Sequence, residues 1–307
     1  MKIIFKKILC LILISMITFI TFIFTSCKDE TPPLLPELRN YVALGDSDAS
    51  GYGLLTLEER HTDILFERLK EEGYVDNYKN MAVSGYTTTM LLEFLNGIDE
   101  ESLEFIQGAR IITINIGGNN ILFPFKDYLA VRLENMQLED FLTIASTLFG
   151  SFSLELESEM QKSVETFSSE FNEIITWLDI NAPRATVIVN TVYNPIPQKF
   201  KLIPGIVVLE IPIAISAVAD GFIREINNTI FEENLQRENK YLISDTYSRF
   251  ASEANIWDFM NIEISLSTLY DGLLAVLREQ DLSYFDFIHP NAAGHNMIAE
   301  LKYELFE

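Results

Sequence analysis

Short apolar runs alternate along this chain with longer stretches whose apolar residues recur every three or four positions. The short runs are Tyr41–Leu44, Tyr78–Val83, Arg110–Ile116, Thr186–Val192 and Tyr241–Ile243, and each predicts a strand. Between the first two, Thr56-Leu57-Glu58-Glu59 has the form of a capping box. It predicts a helix that runs to Glu72 and stops at Gly73. Residues 154–180 place Leu156, Met160, Val164, Phe167, Phe171, Ile174, Ile175 and Leu178 at helical spacing, and residues 291–306 close the chain with another helix. Strands alternating with helices predict βαβ units, and so a parallel sheet of about five strands with helices on both faces. Ligands of such sheets sit beyond the carboxyl ends of the strands.

The residues just past those strand ends are informative. After the first strand comes Gly45-Asp46-Ser47, and after the second Ser84-Gly85-Tyr86. The third leads into Gly117-Gly118-Asn119-Asn120 and the fourth into Tyr193-Asn194-Pro195. Near the C-terminus lies Asp286-Phe287-Ile288-His289-Pro290. Small, polar and reactive residue types thus collect on one rim of the predicted sheet. A serine hydroxyl attacks well only when a base takes its proton. The three histidines are His61, His289 and His295. His289 has Asp286 three residues upstream, close enough for the carboxylate to fix the imidazole tautomer while the other ring nitrogen faces a serine. Acyl transfer also needs donors aimed at the developing oxyanion. The backbone amides of Ser47 and Gly85 and the side-chain amide of Asn119 can supply them. His61, in the first turn of a predicted helix, and His295, in the last helix, read as structural.

Four of these stretches, Gly45-Asp46-Ser47, Gly85 with its neighbours, Gly117-Gly118-Asn119-Asn120 and Asp286-Phe287-Ile288-His289-Pro290, resemble the blocks of the SGNH, or GDSL-type, hydrolase family, and they occur in the family's order over residues 40–307. The resemblance implies a three-layer α/β/α sandwich of flavodoxin-like type. It implies Ser47 as nucleophile, His289 as base, Asp286 as the acid that orients it, and Ser47, Gly85 and Asn119 as oxyanion donors. It implies no metal and no organic cofactor. Two positions depart from the family pattern. Asn120 stands where the third block usually has Asp, a residue that organises the loop. Asp48 stands where the residue after the nucleophile is usually apolar; its carboxylate could repel an anionic substrate or favour protonated His289. The Gly-x-Ser-x-Gly elbow of the α/β-hydrolases is absent.

The N-terminus changes the setting. Lys2, Lys6 and Lys7 precede an almost unbroken apolar run, Ile8 to Phe24, and then Thr25-Ser26-Cys27. This is the form of a secretory signal, and its cysteine resembles the lipobox of bacterial lipoproteins, in which that residue is diacylated. The alternative is an uncleaved signal anchor. The expected organisation is a signal peptide over 1–26, a Pro-stiffened tether over 27–39 and a hydrolase domain over 40–307. Cleavage removes three lysines and takes the net charge from −23 to −26. Cys27 is then the only cysteine, so no intramolecular disulfide forms. An acidic chain without a basic stripe argues against nucleic acid as partner. Asn227-Asn228-Thr229 fits a glycosylation sequon and is set aside in a chain with a bacterial leader.

The resulting expectation is an extracytoplasmic, membrane-tethered, monomeric serine esterase acting on carboxylic esters, including lipid acyl esters. The alternatives are an O-deacetylase of envelope polysaccharide and an inactive scaffold that binds envelope glycan. Residues 202–219, "LIPGIVVLEIPIAISAVA", carry one charge, Glu210. They read either as an insertion folded into the core, leading into a helix near Asp220–Glu233, or as an apolar flap over the site.

Overall fold

The computed structural model describes residues 37–133, 154–195, 200–203, 207–209, 213–253, 256–261 and 288–306. Five strands form one parallel sheet: β1 (Asn40–Gly45), β2 (Asn77–Asn80), β3 (Ala109–Asn115), β4 (Thr186–Asn190) and, later in the chain, β7 (Leu242–Ser244). Their spatial order is β2-β1-β3-β4-β7, the doubly wound order of flavodoxin-like sheets. A separate antiparallel pair, β5 (Phe200–Ile203) and β6 (Val207–Leu209), comes after the fourth strand of that sheet.

Strand alternation divides the core into two layers. Val42, Leu44, Ile112, Ile114 and Val189 face one side, with Phe167, Phe171 and Ile174 of the long helix Leu154–Asn181. Tyr41, Ala43, Ile111 and Ile188 face the other, with Leu65 and Leu69 of the helix His61–Glu71. The result is the expected three-layer sandwich. All eight apolar positions read from residues 154–180 are buried, because a 3.6-residue period keeps them on one stripe. The helix Ala292–Tyr303 closes the chain on the second face, against His61–Glu71.

Three boundaries differ from the sequence expectation. The capping box does not form: Leu57–Glu59 is one 3₁₀ turn and Thr56 makes no side-chain cap. The helix starts instead at His61, after Arg60 in an extended conformation (φ −64°, ψ 138°). The Arg60 guanidinium spans the first turn to Asp63, with Nε 2.7 Å from Oδ2. Gly73 does end the helix, in the left-handed region at φ +73°. The second strand stops at Asn80, where the Asn80 side chain accepts from the Ala82 amide at 2.9 Å and bends the backbone. The Met81 and Val83 amides still donate to Ala43 and Gly45 carbonyls, so the chain tracks β1 to the rim. The third difference is the helix Ile213–Gln236, which begins seven residues before the expected Asp220. The side chains of 196–216 lie outside the described residues, as do Cys27, Asp286, most of the tether and the choice between core and flap for 202–219.

Candidate active site

The first rim turn sets the geometry. Gly45 ends β1 at φ +138°, and a Cβ there would sit 2.0 Å from the Asn115 carbonyl oxygen. Only glycine lets the two backbones approach this closely. The Asp46 amide then donates to that same carbonyl at 2.9 Å, and a single helical turn, Ser47–Ser50, begins with Ser47. Asp46 caps it, accepting from the Asp48 amide at 3.2 Å. Burial, and next the Asp48 carboxylate, hold the Asp46 carboxyl well above the usual carboxylate range.

Ser47 and His289 meet. Ser47 Oγ and His289 Nε2 are 2.8 Å apart although 242 positions separate them in the chain. With the imidazole proton on Nδ1, Nε2 accepts from the serine hydroxyl. The Tyr52 ring lies against the imidazole at a centroid distance of 4.7 Å, tilted by 50°. Pro290, next in the chain, bridges to Met260, and Asn291 caps the last helix, accepting from Gly294. These contacts hold the histidine segment from its C-terminal side.

Of the predicted donors, Gly85 lies in a rim turn past β2 and Asn119 in the first turn of the helix Gly118–Leu133 past β3. Gly85 has φ +88°, and the nearest atom to a Cβ built there is 3.9 Å away, so its backbone is constrained while the space beside it stays open. Asn119 is buried and lines the same cavity as Ser47. One of its two amide protons goes to the Tyr86 carbonyl at 2.9 Å, which fixes the orientation of the amide and links the start of this helix to the Gly85 turn. Asn120 holds Thr88 with both ends of its amide: its Oδ1 accepts from the Thr88 amide at 3.2 Å and its Nδ2 donates to Thr88 Oγ1 at 2.9 Å. Thr88 gives its own hydroxyl proton to Glu170 at 2.6 Å. Its oxygen therefore needs a donor, which asparagine supplies and an ionised aspartate does not. Asp48 points to the Tyr193 hydroxyl at 3.2 Å and to Asn115 Nδ2 at 3.4 Å. Asp286 lies outside the described residues.

Beside Ser47 and His289 opens a cavity of about 140 Å³. Ile116, Ile121, Leu122, Phe125, Met160 and Ile223 make most of its wall. The stretch Thr191–Pro195 beyond β4 lines it as well. This stretch is held residue by residue: Asn227 clamps both backbone groups of Val192, at 2.7 and 2.8 Å. Asn227 is buried with its Oδ1 and Nδ2 both bonded to Val192, so the sequon it belongs to is closed to glycosylation in the folded chain.

The last helix also brings His61, His295 and Lys302 together, all fully buried. Lys302 Nζ is 3.1 Å from His61 Nδ1, and His295 Nδ1 accepts from the His61 amide at 3.3 Å. Both histidines are buried, His61 at the start of the helix His61–Glu71 and His295 in the last helix. Burial lowers the Lys302 ammonium to about 7, against the opposing pull of Asp48 and Asp46. Burial, and then Lys302, also keep His61 well below its ordinary value. Lys302 stands in the last turn of the helix Ala292–Tyr303, and no local sequence pattern marks its burial. Among the described residues no group of three or more His, Cys, Asp or Glu is placed to hold a metal ion, and no helix is long and apolar enough to cross a membrane.

A parallel sheet of this order with a serine–histidine pair on its carboxyl rim defines a three-layer α/β fold built for a rim site. The sequence matches the model of the GDSL-like lipase/acylhydrolase family over residues 43–297, and the chain belongs to that family. Similar folds are seen in a lipase from a goat rumen metagenome, with TM-score 0.55, 18% identity and coverage of 87% of this chain and 96% of that one. A phospholipase A1 from Streptomyces albidoflavus gives TM-score 0.55, 14% identity and coverage of 87% and 99%. An extracellular lipase from Streptomyces rimosus gives 0.54, 17%, and coverage of 87% and 99%. At these identities the likeness concerns the fold. A search of curated proteins gave no match.

Proposed function

We propose that this chain is a serine ester hydrolase in which Ser47 is the nucleophile and His289 the general base. The observation that carries the reading is the 2.8 Å contact between Ser47 Oγ and His289 Nε2 at the mouth of an apolar cavity. Ser47 Oγ attacks the ester carbonyl carbon while its proton passes to Nε2. The Ser47 and Gly85 amides and the Asn119 side chain stabilise the oxyanion. The alcohol leaves with the proton from His289, and the acyl group stays on Ser47. Water, deprotonated by the same nitrogen, then attacks the acyl-enzyme and releases the acid. Asp286, three residues before His289, orients the imidazole through Nδ1.

The cavity takes the acyl part. Its volume, about 140 Å³, is close to that of an apolar cavity known to admit benzene, ~150 Å³. An acyl chain of about six carbons is of comparable size. The test is a nitrophenyl ester series from acetate to octanoate, with Ser47→Ala as control. The rate should climb to hexanoate by up to roughly fourfold per methylene, the equivalent of ~0.8 kcal/mol, and the control should be inactive. A rate highest on acetate, with acetylated polysaccharide as the better substrate, would instead select the O-deacetylase reading. In the proposed setting Cys27 is lipidated and holds the domain at the outer face of the membrane. A Cys27→Ala chain is then released or left unprocessed, whereas mass spectrometry of a mature chain with unmodified Cys27 would refute the anchor.

A further inference from the structure

We propose that Tyr193 is a positioning residue that ties the segment carrying His289 to the turn carrying Ser47. The inference rests on the reading of those two residues as base and nucleophile. The Tyr193 phenol oxygen is 2.7 Å from the carbonyl oxygen of Ile288, the residue before His289. The same oxygen is 3.2 Å from Oδ1 of Asp48, the residue after Ser47. One hydroxyl therefore joins the immediate neighbours of the two reacting groups.

The phenol sits on a rigid mount. Its ring is buried and lies 4.6 Å from that of Phe250. The residues on either side are fixed as well. Thr191 Oγ1 donates to Asp245 at 3.0 Å and accepts from the Tyr247 amide at 2.8 Å. Val192 is clamped by Asn227, and Asn194 donates to Asp220 at 3.2 Å. Asp48 is steadied from its other side by Asn115 Nδ2 at 3.4 Å. A phenol has one proton to give. A three-centre bond shares it between the Ile288 carbonyl at 2.7 Å and Asp48 Oδ1 at 3.2 Å, the shorter arm being the stronger. The tie thus runs from the stretch beyond β4 to both halves of the reacting pair. It also gives a role to Asp48 at a position where an apolar residue would leave the phenol without this neighbour.

Near-attack geometry is unforgiving: a displacement of about 1 Å costs on the order of 10²-fold in rate. Tyr193→Phe removes one oxygen and keeps the ring against Phe250, so the fold should survive. The experiment compares wild type, Tyr193→Phe, Asp48→Leu and the double variant. It reads the rate constant of labelling by a fluorophosphonate, kcat and KM on nitrophenyl butyrate, and the thermal midpoint. Tyr193→Phe should label and turn over about 10- to 100-fold more slowly, with KM within twofold and the midpoint within a few degrees. The double variant should lose less than the product of the two single losses, because both act through one contact. Labelling and kcat of Tyr193→Phe within twofold of wild type would overturn the proposal. So would a loss that vanishes when rates are expressed per folded molecule. Wild type that neither labels nor hydrolyses esters would overturn the reading of Ser47 itself, and the tie with it.

Discussion

Replacing Lys302 by methionine should change how stability depends on pH. The Lys302 ammonium is fully buried, 3.1 Å from the His61 imidazole. Burial brings it from an ordinary 10.5 to about 7 in the folded chain. Between those two values the unfolded chain holds a proton that the folded chain has released. Stability from this group therefore rises with pH across that window. The slope approaches 1.36 kcal/mol per pH unit, and integrating from pH 7 to pH 9 gives about 2 kcal/mol. The neighbouring groups leave this interval clear. His61 is lowered below its ordinary 6.5, so its contribution lies at more acid pH. Tyr41, Tyr78 and Tyr241 are raised above their ordinary 10, so theirs lies at more alkaline pH. Asp46, raised from 3.8, is present in both proteins. Methionine keeps most of the lysine stem without the charge. Urea unfolding of both proteins at pH 7 and pH 9 measures the gap between them. Lys302→Met should be favoured over wild type by about 2 kcal/mol more at pH 7 than at pH 9. A gap constant to within about 0.5 kcal/mol would mean that Lys302 keeps its proton throughout and that the buried lysine is not neutralised by folding.

The site supplies further expected outcomes. Asn119→Ala should lower kcat by ~10²–10³, the usual loss for one oxyanion donor, while a fluorophosphonate still labels the protein; unchanged kcat would remove Asn119 from the oxyanion site. Ile223→Phe narrows the cavity that Ile223 lines, so hydrolysis of hexanoate should fall at least tenfold relative to acetate, and an unchanged ratio would place the acyl chain elsewhere. Gly45→Ala forces a Cβ to within 2.0 Å of the Asn115 carbonyl, and circular dichroism should show loss of fold or a cost above ~2 kcal/mol.

The sheet was legible because four of its strands hold short apolar runs bounded by glycine and polar residues; β2, Asn77-Tyr78-Lys79-Asn80, is polar and was located only through the apolar residues that follow it. The long helix was legible because a strict 3.6-residue period carried eight buried side chains. The contact of Ser47 with His289 was expected from the family resemblance and not from strand order: Ser47 follows β1, where ligands of parallel sheets sit, but His289 lies far beyond β7. The start of the helix at His61 was not. The Thr56 to Glu59 pattern competes with an Arg60–Asp63 pair that forms only once the turn is in place. Tyr193 was visible as a rim residue, but its role depends on which neighbours of Ser47 and His289 come within reach of a single oxygen. Lys302 was hidden for a similar reason: its burial is set by the helix His61–Glu71, about 240 positions away in the chain, and no local pattern reports that contact.

Whether Ser47 is the reactive nucleophile and His289 its base can be read from a single labelling experiment. The folded protein is treated with a fluorophosphonate, and the adduct is located by peptide mass spectrometry. One stoichiometric adduct should appear on Ser47, formed rapidly in wild type and lost in His289→Ala. An adduct on another residue, no adduct, or undiminished labelling in His289→Ala would contradict that assignment.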